Sequence, residues 1–89
     1  MKQLFIIYDL EKGGIGYKPA KINLPEGTRI CLDREKMKFA KVIKVVELTS
    51  ELMHKAWRAA ESQNRYFQTD AIFRMHFLSF VEGFVCLAK

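Results

Sequence analysis

The sequence predicts an α+β fold: a small antiparallel sheet of about four strands, arranged as a meander and packed against two C-terminal helices, with room for a short final strand. Three observations carry that prediction. Runs rich in β-branched and aromatic residues, separated by Gly- and Pro-containing turns, fill residues 1–48. From Thr49 onward the apolar period changes to that of a helix, with capping residues at the right places. Charge and ring content divide the same way. Residues 1–45 hold ten Lys/Arg against five Asp/Glu, whereas residues 46–89 hold five of each and most of the large aromatics, Trp57, Tyr66, Phe67, Phe73, Phe77, Phe80 and Phe84. The net charge of +5 therefore belongs to the strand-rich half.

Leu4 to Leu10 is apolar at nearly every position, the pattern of a central strand covered on both faces. Gly13-Gly14-Ile15-Gly16 then breaks it, supplying the backbone freedom of a hairpin loop. A second strand is expected over Tyr17–Leu24, with Ala20, Ile22 and Leu24 on one face, and Pro19 makes it an edge strand because proline donates nothing to a ladder. Leu24-Pro25-Glu26-Gly27 reads as a β-turn. Thr28–Leu32 is a third strand and Asp33–Lys36 a polar turn.

Met37–Leu48 admits two readings. Phe39, Val42, Ile43 and Val46 fit a helical stripe with Asp33 as a cap, yet Val42, Ile43, Val45 and Val46 are all β-branched, which favours a fourth strand. Thr49-Ser50 opens a helix running to about Asn64, with Glu51 in the first turn where the macrodipole favours it. Leu52, Ala56, Ala59, Ala60 and Gln63 line one side, with Met53 and Trp57 beside them. Thr69-Asp70 caps a second helix, in which Phe73, Phe77, Phe80 and Phe84 share a face and apolar residues occupy the other sides, as in a central helix. Gly83 is placed to end or bend it before Phe84–Leu87.

Eighty-nine residues make one small domain, a basic strand-rich half (1–48) and an aromatic helical half (49–89). Such a domain buries roughly 60% of its unfolded surface, and its surplus of aromatics points to a homodimer or higher oligomer. Cys31 and Cys86 sit in apolar contexts and read as buried, reduced thiols. Met1-Lys2-Gln3 runs directly into a strand-like segment without a signal peptide, so the expected compartment is the cytoplasm. Residues 71–88 form the longest apolar stretch, but Arg74, His76 and Glu82 argue against a membrane span.

The sequence holds no catalytic constellation, and the expectation is that this is not an enzyme. His54, His76, Cys31 and Cys86 lack ligand-like spacing, so no metal and no cofactor is expected. Neither cysteine adjoins a histidine, as an activated nucleophile would require locally, and Ser79 lies mid-helix. The glycine loop lacks the spacing of a phosphate-binding fingerprint. Ile6-Ile7-Tyr8-Asp9 resembles the opening of the small CRISPR-associated nucleases. The arginine-rich helix that follows the strand in that family is replaced here by a glycine hairpin, and the resemblance assigns no function.

Two binding readings remain. The first is a stoichiometric regulator or inhibitor, of the kind viruses and mobile elements encode, acting on a larger protein partner through Met53, Trp57, Arg65, Tyr66 and Phe67. The second is RNA or DNA binding by the basic hairpin 34–44, with Lys18, Lys21, Arg29, Arg34, Lys36, Lys38, Lys41 and Lys44 sharing a solvent face.

Overall fold

A computed structural model describes residues 1–63 and 70–87. It is α+β, with four antiparallel strands in a curled sheet followed by two helices: β1 (Gln3–Leu10), β2 (Ile15–Ala20), β3 (Arg29–Asp33), β4 (Lys38–Leu48), α1 (Ser50–Gln63) and α2 (Asp70–Leu87). The chain forms two compact units, one of Leu4–Val46 and one that joins Met1–Gln3 to the residues from Glu47 onward.

In the first unit the strand order is β2-β1-β4-β3. This corrects the expected meander, in which β2 and β3 would have been neighbours. The reason lies in composition. β1 buries three consecutive residues, Phe5, Ile6 and Ile7, and so needs shielding on both faces, while β4 is the longest strand and buries Ala40, Val42 and Val46. These two take the centre. β2 carries Pro19, and β3 is short with exposed Arg29 and Cys31, so both are confined to the edges. The extended reading holds from Lys38 to Leu48, with burial at alternate positions along β4 as the pleat requires, while Met37 belongs to the preceding turn.

β1 and β2 pair from Leu4↔Ala20 to Asp9↔Ile15. The pairing stops there, so β2 ends at Ala20 and not at Leu24. Ile22, expected to face inward, is 63% exposed. Gly16 lies directly opposite Tyr8, whose ring covers it: a Cβ on Gly16 would come within 2.7 Å of the Tyr8 hydroxyl. The proline turn falls one residue later than expected. Thr28 N–H donates to the Pro25 carbonyl at 3.2 Å and Gly27, with φ of 89°, takes the third position that demands a positive φ. β3 and β4 pair through Arg29↔Lys41, Ile30↔Ala40 and Cys31↔Phe39, then shift register before Asp33↔Lys38.

In the second unit Thr49 caps α1, its hydroxyl oxygen accepting the Leu52 N–H at 3.1 Å. Gln3 Nε2 donates to the Ser50 hydroxyl at 2.7 Å, tying the first residues of the chain to the helix start. The buried side of α1 is Met53, Ala56 and Ala60. The alanines are short enough for close approach, and Trp57 packs edge-on against Phe73 (4.7 Å, 72°) and Phe77 (5.2 Å, 77°) of α2. Phe77 and Val81 are fully buried.

α2 is otherwise less enclosed than its composition implied, with Met75 59% and Leu87 84% exposed. It also runs unbroken through Gly83, so Phe84–Leu87 is helical and the optional last strand does not form. A helical glycine costs about 1 kcal/mol, too little to stop a helix flanked by apolar formers. Cys31 and Cys86 are free, as expected, but both are exposed. Each lies on the open side of its element, Cys31 on an edge strand and Cys86 in the last turn of α2. Among the described residues no helix is long and apolar enough to cross a membrane.

Candidate functional site

The site is built on two turns at one end of the sheet. In the first, Leu10 N–H donates to the Gly14 carbonyl (2.9 Å) and Gly13 N–H to the Leu10 carbonyl (3.0 Å), with Gly13 and Gly14 both at φ of 101°. In the second, the Asp33 carboxylate accepts the backbone N–H groups of Glu35 (3.0 Å) and Lys36 (3.2 Å), which fixes the reversal. Met37 closes that reversal. Its N–H reaches the Arg34 carbonyl at 3.3 Å and its φ is 52°, a left-handed conformation that usually falls to glycine or asparagine. Glu11 N–H donates to the Phe39 carbonyl at 3.1 Å, which holds the two turns side by side.

Between them lies an open groove of about 240 Å³. Leu10, Met37 and Phe39 give it apolar walls, and Lys12, Lys36, Lys38 and Glu11 line the rest. The acid is already matched. Arg29 Nε donates to Glu11 Oε1 at 2.7 Å and its Nη2 approaches Oε2 at 3.4 Å, while the guanidinium carbon stands 3.9 Å from the centre of the Phe39 ring. The Arg29 hydrogen bond, outweighing slight desolvation and aided by the charges of Arg29 and Lys41, holds the Glu11 carboxyl below its ordinary range. Glu11 in turn pushes the Arg29 guanidinium up. Lys12, Arg34, Lys36 and Lys38 are exposed and have no acidic partner among the described residues.

The expected solvent face of eight cations is not one surface. Lys38, Lys41 and Lys44 recur every third residue, a helical spacing, whereas a strand turns its side chains over every residue. Lys38 and Lys44 therefore lie on the side of β4 that buries Ala40 and Val42, and Lys41 lies on the other, opposite Arg29. Lys44 is half-buried. Lys18, opposite Ile6, and Lys21 lie at the far edge of the sheet, with β1 and β4 between them and β3. What the structure brings together is Arg34, Lys36 and Lys38, joined by Lys12, which the sequence reading missed. The available signal was the Lys12-Gly13-Gly14 turn, read only as a loop.

The helical candidates fare differently. Met53 has no exposed surface, because it belongs to the Met53/Ala56/Ala60 row, and so it is not a contact residue here. Trp57 is half-buried in its cluster with Phe73 and Phe77. Arg65, Tyr66 and Phe67 lie outside the described residues. Among the described residues no three His, Cys, Asp or Glu side chains gather as a metal site would need.

Comparison with protein-family models, curated proteins and solved structures yields no match to this chain.

Proposed function

We propose that this protein is a non-catalytic binding protein whose ligand is nucleic acid, engaged at the two-turn end of the sheet. One observation supports the reading above the others: Lys12, Lys36 and Lys38 line one groove with Arg34 in the adjoining turn, and none of the four has an acidic partner among the described residues, while nearby Arg29 is spent on Glu11. A lysine serving only solubility gains nothing from such convergence, since like charges repel. A polyanion bridging them releases counterions and relieves that repulsion.

Four phosphate contacts give a slope of about −2.8 in log affinity against log salt on single strands, so binding falls roughly 50-fold from 50 to 200 mM salt. Filter binding at those two concentrations reads it. Lys12→Glu with Lys36→Glu and Lys38→Glu should abolish binding at both. Affinity indifferent to salt, or unchanged in the triple variant, refutes the proposal.

A second reading, contact with a protein, is favoured by α2, a helix of mostly apolar residues whose Met75 and Leu87 remain exposed. A second copy of the chain is the simplest occupant, giving a homodimer with a two-fold interface, and a larger protein partner is the alternative. Sedimentation equilibrium distinguishes them, since Met75→Glu should shift a dimer toward monomer. The exposed thiols Cys31 and Cys86 suit a reducing compartment, and we place the protein in the cytoplasm on that basis.

A further inference from the structure

We infer that the groove between the two turns seats one unstacked base of a single strand, and that Met37 is the residue that contacts it. The inference rests on the nucleic-acid reading and names its substrate class. Three independent features of the groove lead to it.

The first is Met37 itself. Its backbone occupies a left-handed position that glycine would satisfy without strain, and its side chain is 65% exposed, so neither the turn nor the core accounts for a large thioether there. Strain retained at an exposed apolar residue is explained when that residue touches a ligand. The second is size. At about 240 Å³ the groove falls below the roughly 300–1,000 Å³ of sites that enclose a whole small molecule. It suits one flat ring of a longer ligand.

The third is the pattern of the walls. Leu10, Met37 and Phe39 present apolar and polarizable surface, on which any base can lie, and a thioether makes favourable contacts with aromatic rings. Arg29 over Phe39 holds that ring in place, and its pairing with Glu11 neutralises the acid that lines the groove. Lys12, Lys36 and Lys38 line the same groove, within reach of the phosphates on either side of a seated base. A duplex keeps its bases stacked and paired, so it can offer phosphates to these lysines and nothing to Met37.

The test uses fluorescence anisotropy with the full chain and labelled oligonucleotides of about 12 residues: a single strand, its duplex, and the same single strand without bases. The wild type should bind the single strand roughly tenfold more tightly than either of the other two. Met37→Gly should lose that tenfold preference with its salt slope unchanged, while melting about 3 °C higher because the strain is gone. The thermal gain shows that the loss is not unfolding. Salt-dependent binding that ignores both base removal and Met37→Gly overturns this inference and leaves the electrostatic reading standing. Failure of the wild type to bind any of the three at low salt overturns both.

Discussion

Gly16→Ala should destabilise the protein even though alanine ordinarily strengthens a strand. Gly16 is not among the positive-φ glycines, so its backbone accepts an L-residue, and removing glycine's unfolded-state freedom alone should stabilise by about 0.7 kcal/mol. The obstacle is Tyr8. A Cβ at position 16 meets the Tyr8 Oη at 2.7 Å and Cε1 and Cζ at 2.8 Å, against a comfortable separation of about 3.5–4.0 Å. The ring must withdraw by about 1 Å, and overpacking of that kind costs typically 1–3 kcal/mol. Taking about 2 kcal/mol, the net loss is near 1.3 kcal/mol, or a fall in Tm of about 5–10 °C for a domain of this size. Thermal and urea melts followed by circular dichroism measure it.

The decisive comparison is the Tyr8→Ala background, where Gly16→Ala meets no ring and should become stabilising by about 0.7 kcal/mol. The sign reversal isolates the contact from strand propensity. If Gly16→Ala stabilises both backgrounds equally, the ring does not rest on Gly16 and the argument fails. Burial also pushes the Tyr8 phenol up from its ordinary value. With the folded value raised, its contribution to stability is complete below the unfolded value near 10 and fades as the pH climbs through the folded one. Gly16→Ala should bring the phenol back toward its ordinary titration, read by ultraviolet absorbance.

Two further outcomes follow from the same structure. Phe77→Ala removes a fully buried ring that meets Trp57 and lies parallel to Phe73, and should cost about 3–5 kcal/mol, visible as loss of most helical signal on mild heating. Because the Glu11 carboxyl is held below its unfolded value near 4.5, its pairing with Arg29 supports the fold above that pH and is lost as the pH falls through the folded value. Glu11→Gln should flatten that acid limb of a stability–pH profile, and an unchanged limb would show that the pair contributes nothing.

Sequence legibility followed the physics of each element. β1 was readable because Phe5-Ile6-Ile7 tolerates no exposed face, and α1 because Thr49 caps it and Ala56 and Ala60 share a side, although the buried row takes in Met53 and leaves Gln63 exposed. Strand order was not, since pairing β1 with β4 depends on contacts some 35 residues apart and the local pattern favours neighbours equally well. The basic site was half legible. Arg34, Lys36 and Lys38 stand together in the chain, but Lys12 joins them only through the Glu11–Phe39 backbone bond, and Met37's conformation is invisible until the turn is closed. Lys41 and Lys44 were expected on one solvent face of the hairpin, but a separation of three residues puts them on opposite sides of a strand.

Both outer strands of the sheet are imperfect templates. Pro19 removes a donor from one border, and the slipped register between Cys31 and Asp33 interrupts the other. An incoming peptide, or a neighbouring copy, would find no uninterrupted row of amides to zip onto. Polymerisation through the backbone is thereby discouraged at both borders.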